Sequence, residues 1–225
     1  MLLLRPPGVY RPQSDTTMLS AALGLLDLPR GAKILDIGTG TGAIAIDAAR
    51  RGAARVTAID LSVRAVLAAW FNTLVRGLRV RVIRGDLFAP VEGERFDVIL
   101  ANPPYVPGHA RPPARHSRAL AWDAGLDGRR LLDRICSAAP AHLSSGGTLL
   151  LVQSALSDVR ESLRRLRAAG LDAHVVAHRL EPFGPVMRAR IARLQSLGLT
   201  LPGQRHEELV VIRADRTDTR RADAR

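Results

Sequence analysis

The motif at residues 102–105, Asn-Pro-Pro-Tyr, could hold a planar –NH₂ group as the acceptor in a group-transfer reaction. The Asn102 side-chain oxygen and the Pro103 carbonyl oxygen are two hydrogen-bond acceptors, which can bind the two N–H protons of an amide or an aniline-like amine. The nitrogen lone pair, a poor nucleophile because it is conjugated, would then be aimed at an electrophile. Tyr105 would pack against the planar group. Catalysis would come from orientation and electrostatics rather than from a strong base.

The context of this motif favours a site over a simple Asn-Pro turn, which is common on its own. The motif follows an apolar run at residues 96–101, which predicts a buried strand. Asn102 would therefore lie at the carboxyl edge of the sheet, where ligands bind in open α/β folds. Pro103 and Pro104 restrict the backbone, so the loop is stiff and suited to positioning a substrate.

A glycine-rich segment at residues 36–42, Asp-Ile-Gly-Thr-Gly-Thr-Gly, lies between a predicted strand and a predicted helix. Gly38 and Gly40 allow the backbone to turn tightly and to approach a ligand closely. Asp60 ends the next predicted strand, at about the distance where such folds place a carboxylate on ribose hydroxyls. A purely structural β-turn-α is the alternative for the loop alone, and the position of Asp60 favours a ribose-bearing ligand.

The spacing of the glycines argues against a dinucleotide. The dinucleotide fingerprint leaves two residues between its second and third glycines, whereas only Thr41 separates Gly40 from Gly42. Asp36 precedes the glycines, and a carboxylate at this position would repel a diphosphate and attract a cationic group. S-adenosyl-L-methionine carries a sulfonium and an ammonium and no phosphate, so we expect it as the cofactor.

Strands and helices alternate along the chain, which predicts an α/β fold with a doubly wound, mostly parallel sheet of about seven strands and helices on both faces. We predict one domain over residues 1–213 and a disordered tail over residues 214–225, which are polar and rich in Arg and Asp. The predicted strands are residues 32–37, 55–59, 80–84, 96–101, 148–153, 173–178 and 208–212, and the predicted helices are residues 16–26, 42–51, 63–76, 129–143 and 158–169, with further helical character between 182 and 203.

The composition fits a single globular domain, with 225 residues of which 47% are hydrophobic. The formal net charge of +12 would ordinarily suggest an anionic partner. Nearly all of the positive charge is arginine, however, and Lys33 is the only lysine, a pattern typical of genome-wide base composition. The excess of positive charge is compatible with contact to RNA or the ribosome but is not evidence for it. The Arg-rich loop at residues 111–118 could contact RNA or an acidic substrate, or could simply be solvated.

Other features exclude several classes of site. Cys136 is the only cysteine and falls in an apolar helical pattern, so we expect an inert core thiol. The histidines show no metal-ligand spacing with acidic or cysteine partners, and we predict no metal. The apolar start at residues 1–4 is too short for a signal peptide or a membrane span, so we expect a cytoplasmic protein without membrane contact.

The motifs resemble those of class I S-adenosylmethionine-dependent methyltransferases, and within them the HemK family, which methylates the glutamine of the Gly-Gly-Gln motif in release factors. The resemblance covers about residues 8–213 and implies a class I methyltransferase (Rossmann-like) fold. Residues 36–42 match the cofactor motif, residues 102–105 match the acceptor motif, and residues 122–129 resemble the stretch before the next helix. The resemblance implies that Thr16 contacts the methionine part of the cofactor, that Asp60 and Leu61 contact the ribose, and that Asp86 and Leu87 contact the adenine. The other implied cofactor-binding residues are Asp36, Gly38, Gly40 and Asn102. The implied catalytic residues are Asn102, Pro103 and Tyr105.

The chain departs from the bacterial members of that family, which carry an N-terminal helical substrate domain for which it has no room. It resembles the short form of archaea and eukaryotes, which acts on the class I release factor with a small activator subunit. If the strand order is that of this family, residues 80–84 form an edge strand. Short-form relatives pair with their activator at this edge, whereas Arg81 and Arg84 could blunt it here, and we expect the chain to be soluble alone.

The resemblance implies N5-methylation of a protein glutamine, and two alternatives stay open. An adenine N6-methyltransferase acting on DNA or RNA would use the same acceptor motif, because the exocyclic amine of adenine is also a planar –NH₂ group. The chain lacks a domain for flipping and reading a base, which argues against this alternative. A non-catalytic subunit that keeps the fold is the second alternative, and the intact motif at residues 102–105 argues against it.

Overall fold

The computed structural model describes residues 2–108 and 124–217. Its seven strands form one sheet in the order β3-β2-β1-β4-β5-β7-β6. The elements are α1 (Ser14–Gly24), β1 (Lys33–Ile37), α2 (Ala43–Arg50), β2 (Arg55–Asp60), α3 (Val63–Leu74), β3 (Val80–Arg84), β4 (Phe96–Ala101), α4 (Arg130–His142), β5 (Leu143–Ser154), α5 (Val159–Ala168), β6 (Leu171–Pro182), α6 (Pro185–Ser196) and β7 (His206–Arg216).

Alternate residues of the central strands face opposite helical layers. In β1, Leu35 and Ile37 belong to the core that α4 and α5 cover. Ile34, on the opposite face of the same strand, belongs to the core that α1 and α2 cover. Successive side chains of a strand point to opposite faces, so a strand that is covered on both sides must be apolar throughout. The apolar run of β4 has the same cause, since Ile99 and Leu100 lie in the two different cores.

The last strand runs against the others. β1 to β5 pair in parallel, whereas β7 lies antiparallel between β5 and β6. Leu209 near the start of β7 pairs with Ser154 at the end of β5, and His206 pairs with Pro182 at the end of β6. The beginning of β7 therefore lies at the carboxyl edge of the parallel strands, where Asp60 and Ala101 end β2 and β4.

The structure confirms the predicted α/β fold, the mostly parallel sheet and the position of β3 at a sheet edge. The bounds of β3 and β4 match the predicted ones. Strands β5 and β6 are longer than predicted, because backbone pairing continues past their apolar segments. On β3, Arg81 forms an ion pair with Glu94 over 2.8 Å.

The prediction that residues 214–225 form a disordered tail is wrong for its first three residues. β7 continues through Arg216. The Thr148 hydroxyl donates a hydrogen bond to Asp215 over 2.5 Å, and the Arg216 guanidinium donates to the carbonyl of Pro140 over 2.9 Å. Pairing with β5 and β6 thus orders a polar segment whose composition alone favours disorder. Residues 218–225 lie outside the described part of the chain.

Three further features of the fold bear on the kind of protein. Cys136 of α4 is fully buried in the core on which this helix packs, as predicted. Within residues 2–108 and 124–217, no group of three or more His, Cys, Asp or Glu side chains is arranged to hold a metal ion. None of the helices in those same ranges is long and apolar enough to span a bilayer.

Candidate active site

A cavity of about 810 Å³ opens at the carboxyl edge of the sheet, a size typical of small-molecule sites. Strands β1, β2 and β4 all end at this edge, so residues that are far apart in sequence meet there. The structure brings every predicted site residue to the wall of this one cavity: Thr16, Asp36, Gly38, Gly40, Asp60, Leu61, Asp86, Leu87, Asn102, Pro103 and Tyr105.

The glycine loop after β1 follows a tight turn against the end of β2. The backbone N–H groups of Gly38 and Thr39 both donate to the carbonyl of Ile59, at 2.8 and 3.0 Å. Gly42 has a φ of 81°, and a Cβ there would lie 3.1 Å from the Cα of Ala69 in α3. Only glycine allows this left-handed backbone at such a close approach, which seats the start of α2 beside α3.

Asp36 is a buried acid at the base of the glycine loop. Its Oδ2 accepts hydrogen bonds from the Thr39 hydroxyl at 2.6 Å and from the Ala45 N–H at 3.1 Å. Burial raises the pKa of Asp36 to about 7, although both hydrogen bonds act to lower it. A cationic group bound beside this carboxyl would favour its ionised form.

Asp60 is held in one orientation by backbone groups. Its Oδ2 accepts from the N–H of Gly40 over 2.9 Å, and its Oδ1 accepts from the N–H of Ser62 over 2.8 Å. Burial raises the pKa of the Asp60 carboxyl. The carboxylate thus joins the end of β2 to the glycine loop, and each oxygen has a second lone pair that can accept from a ligand hydroxyl.

The segment after β3 contains a backbone outlier. Leu87 has a φ of 49°, and a left-handed conformation is uncommon for a side chain of this kind. Asp86, beside it, forms an exposed ion pair with Arg134 of α4 over 2.9 Å. Strained backbone of this kind clusters at ligand sites.

The acceptor motif is anchored at its far end. Pro103 is buried and Asn102 is half-buried. The carbonyl of Tyr105 accepts a hydrogen bond from the Ser157 hydroxyl over 2.7 Å. Gly128, with a φ of 74°, lies so close that a Cβ there would be 2.4 Å from the same carbonyl oxygen. The close approach of Gly128 and the bond from Ser157 fix the backbone of the motif.

Sequence reasoning left several polar residues of the cavity wall unassigned, and four of these are carboxylic acids or phenols. Tyr10 and Asp15 come from the N-terminal segment and α1, and Glu181 and Glu207 come from β6 and β7. Asp15 is buried, and its Oδ2 accepts a hydrogen bond from the Tyr10 hydroxyl over 2.7 Å. Glu207 reaches the cavity because β7 is antiparallel to its neighbours, and the apolar pattern of β7 does not indicate the direction of the strand. Asp15 directly precedes Thr16 in the segment that resembles the HemK family.

The residues at the glycine loop fit S-adenosyl-L-methionine. Two carboxylates, Asp36 and Asp60, line the loop, which suits a cation and ribose hydroxyls and would repel a diphosphate. The hydroxyl of Thr41 lines the same cavity and is buried without a hydrogen-bond partner. A buried polar atom in a cavity wall is satisfied when a polar ligand binds.

Residues 4–168 match the sequence model of a known family, the methyltransferase small domain. The chain belongs to this methyltransferase family. Among curated relatives, a protein of Methanocaldococcus jannaschii that is provisionally named a protein N5-glutamine methyltransferase is 34% identical over 188 residues, which are 84% of this chain and 93% of that protein. The resemblance to the HemK family is thereby confirmed.

Bacterial relatives match this methyltransferase over part of their length. The release factor glutamine methyltransferase of Geobacter sulfurreducens is 36% identical over 64% of the chain. The ribosomal protein uL3 glutamine methyltransferase of Bradyrhizobium diazoefficiens is 42% identical over 56% of the chain. These matches span about half of the bacterial proteins, 53% and 42% respectively.

Solved structures confirm the class I methyltransferase fold. The E. cuniculi Mtq2-Trm112 complex, which methylates the translation termination factor eRF1, aligns with a TM-score of 0.63 and 24% identity over 93% of this methyltransferase and 99% of the matched chain. The T. thermophilus 16S rRNA N2 G1207 methyltransferase, solved with AdoMet and guanosine, aligns with a TM-score of 0.59 and 21% identity over 92% of this chain and 44% of its own. The predicted contact loop at residues 111–118, and residues 122 and 123 of the family-like stretch, lie outside the described residues.

Proposed function

We propose that this methyltransferase transfers a methyl group from S-adenosyl-L-methionine to the side-chain nitrogen of a protein glutamine, in the Gly-Gly-Gln loop of a peptide chain release factor. The observation that carries this proposal is the closeness of the two motifs. A Cβ at Gly38 would lie 3.6 Å from the backbone oxygen of Asn102, so the cofactor loop and the acceptor motif share one cavity wall. A nitrogen held by residues 102–105 is then within reach of a methyl group held at the glycine loop.

The residues divide into a cofactor half and an acceptor half. Bound in the cofactor half, S-adenosyl-L-methionine would supply an electrophilic methyl group. The sulfonium that carries this methyl group would become a neutral thioether when the group is transferred. Asp36 would face the charged methionine part and Asp60 the ribose hydroxyls. Leu61, Asp86 and Leu87 would enclose the ribose and adenine, and Thr16 would contact the methionine part.

In the acceptor half, Asn102 and Pro103 would orient the amide. Their two oxygens accept the two N–H protons and leave the lone pair directed along the line of the leaving sulfur. The new nitrogen–carbon bond forms as the carbon–sulfur bond breaks, and the nitrogen releases one proton to water. Tyr105 would cover the face of the amide, with its hydroxyl held by Asp15.

The names of the relatives support glutamine over adenine. The relatives from Methanocaldococcus jannaschii, Geobacter sulfurreducens and Bradyrhizobium diazoefficiens are all named for glutamine methylation of a protein. The target is a release factor in one name and ribosomal protein uL3 in another, so the glutamine side chain is the acceptor that these names share. An adenine N6-methyltransferase is the second candidate, because its acceptor is an exocyclic base amine, as is the N2 group of the rRNA guanosine on which a fold neighbour acts. A release factor as the substrate would also place the protein in the cytoplasm, next to the ribosome.

A small activator subunit is a further part of the proposal. Leu67, Trp70 and Leu74 form an apolar stripe on α3, and each side chain is more than half exposed. This helix packs on β2 and the edge strand β3. Contiguous apolar surface of this kind is typical of interaction sites. The Mtq2 neighbour was solved as a complex with Trm112, which supports an activator as the occupant.

The deciding experiment incubates the purified chain and a labelled methyl donor with a release factor, a ribosomal protein, RNA and DNA in parallel. We expect mass spectrometry to find one added methyl group on the glutamine of the Gly-Gly-Gln loop. An unmodified loop together with N6-methyladenine in the nucleic-acid samples would replace the proposal with its alternative. Repeating the assay with a Trm112-type subunit, and with Trp70→Ser in the enzyme, tests the activator.

A further inference from the structure

Glu207 reaches the acceptor half of the cavity because of the direction of its strand. It is the second residue of β7 and pairs with Glu181 near the end of β6. β7 is antiparallel to its neighbours, so its first residues lie at the edge where Asn102 follows β4. Glu207 lines the same cavity as the acceptor motif, and its charge is close enough to Tyr105 to raise the pKa of that phenol.

One oxygen of Glu207 is buried without a partner. The residue is only 9% exposed. The Ser154 hydroxyl bonds one side of the carboxylate, whereas Oε2 has no hydrogen-bond partner. Burial raises the pKa of Glu207, and the charges of Asp15 and Glu181 raise it further. A buried carboxylate oxygen without a donor is unfavourable, so a donor that enters the cavity would gain by pairing with it.

The two neighbouring carboxylates already have partners. Asp15 accepts from the hydroxyls of Tyr10 and Tyr105, and also from the N–H and the hydroxyl of Thr16. Glu181 forms an ion pair with Arg179 over 2.6 Å. Glu181 Oε1 has this ion pair but no hydrogen bond, whereas Glu207 Oε2 is buried with neither.

We propose that Glu207 is a specificity-determining residue of the acceptor site, and that its Oε2 accepts a hydrogen bond from a backbone N–H of the peptide that carries the methylated nitrogen. This inference rests on the proposed function, because it names a contact that only a polypeptide acceptor makes. A glycine-rich loop offers backbone N–H groups without bulky side chains, which suits a single buried acceptor. The same three acids would repel a phosphate placed beside Glu207, which disfavours a polynucleotide at this contact.

The test compares methylation of a release factor by the wild-type chain, Glu207→Ala and Glu207→Gln. Glu207→Ala removes the acceptor, so the KM for the release factor should rise about 10–150-fold, as for a hydrogen bond to a charged group. Since the contact does not touch the reacting nitrogen, kcat should change little. Glu207→Gln keeps a neutral oxygen and should give an intermediate KM. The affinity for S-adenosyl-L-homocysteine should be that of the wild type in both variants.

Glu208→Ala is the matched control, because its carboxylate is exposed and pairs with His178 on the surface. It should leave the KM for the release factor unchanged. An unchanged KM in Glu207→Ala, with the cofactor affinity retained, would overturn the inference. If Glu207→Ala does not fold, as circular dichroism would show, Glu207→Gln decides alone, and a wild-type KM in that variant rejects the contact.

A binding measurement separates this inference from the proposed function. A Gly-Gly-Gln peptide is titrated by calorimetry into the chain loaded with S-adenosyl-L-homocysteine. Tighter binding to the wild type than to Glu207→Ala supports the contact, even if the release factor takes up no methyl group and the proposed function fails. N-methylation of the peptide bond that Glu207 contacts should weaken binding to the wild type and leave binding to Glu207→Ala unchanged. Equal affinity for both proteins, or no binding to the wild type, rejects the contact.

Discussion

The Tyr105 hydroxyl donates a hydrogen bond to Oδ2 of Asp15 over 3.2 Å, joining residues 90 positions apart. The last residue of the acceptor motif is thereby fixed to α1, the helix that also carries Thr16. Burial, with the negative charge of Asp15, raises the pKa of Tyr105 well above its ordinary value, so the phenol keeps its proton and can donate. The contact ties the orientation of the acceptor motif to the cofactor side of the cavity.

Removing this bond should weaken the fold. We expect Tyr105→Phe to lower the free energy of unfolding by about 1.5 kcal/mol, the lower end of the range for a hydrogen bond to a charged group, because Asp15 keeps its bonds from Tyr10 and Thr16. Urea denaturation measures the change. Tyr10→Phe is the matched variant and should lose a similar amount. Unchanged stability in Tyr105→Phe would show that the bond contributes nothing in solution.

Asp60 should be a ribose ligand. Asp60→Ala should weaken binding of S-adenosyl-L-methionine by about 1.5–3 kcal/mol, the range for hydrogen bonds to a charged group. Asp97→Ala is the control: it also removes a carboxylate that accepts a backbone N–H, that of Lys33 at 2.8 Å, at the start of β1. Calorimetry should find normal affinity in the control. Equal affinity for S-adenosyl-L-methionine in both variants would show that Asp60 is not a ligand of the cofactor.

Asn102 should act in the chemical step and not in cofactor binding. Asn102→Ala should lower the turnover number by about 10²–10³, as for loss of a preorganised polar contact in a transition state. Asn102→Asp keeps an oxygen acceptor and should retain more activity than the alanine variant. Single-turnover rates with saturating cofactor measure the effect. Alanine and aspartate variants of equal activity would argue against the acceptor role of the side-chain oxygen.

Cofactor affinity should depend on pH through Asp36. Burial raises the pKa of Asp36 in the free protein to about 7, so the carboxyl is protonated below that pH. A cationic cofactor prefers the ionised carboxylate, and binding must therefore displace a proton at low pH. Affinity should fall as the pH decreases from 8 to 5, and proton release should appear in calorimetry with buffers of different ionisation enthalpy. Asp36→Asn should flatten this profile, and a pH-independent wild type would contradict it.

The cofactor half was predictable because its signals are local. The glycine loop, Asp36 and Asp60 lie on consecutive β-α units, and parallel pairing of β1 and β2 follows from the alternation of strands and helices. The left-handed backbone of Leu87 has no such signal, since leucine does not favour it. The strand that ends at Ala101 was equally clear, because both its faces are covered and it is apolar throughout.

The far wall of the cavity was not predictable, because it depends on non-local pairing. The apolar pattern of residues 208–212 is the same for a parallel and an antiparallel strand, and only the antiparallel direction brings Glu207 to the site. Gly128 is likewise ordinary in sequence, and its role comes from contact with the Tyr105 carbonyl. Asp215 and Arg216 have the composition of a tail and are ordered by the strands on either side.

The position of β7 between β5 and β6 sets the order in which the site can be completed during synthesis. β6 leaves the ribosome before β7, yet its only pairing partner among the described strands is β7. The cofactor half, which β1 to β4 form, can therefore assemble while the chain is still growing. β6 stays unpaired until β7 has been synthesised. Insertion of β7 closes the sheet and delivers Glu207 in the same step. A nascent chain arrested before residue 206 would then have a cofactor loop, an acceptor motif, Asp15 and Glu181, but would lack Glu207.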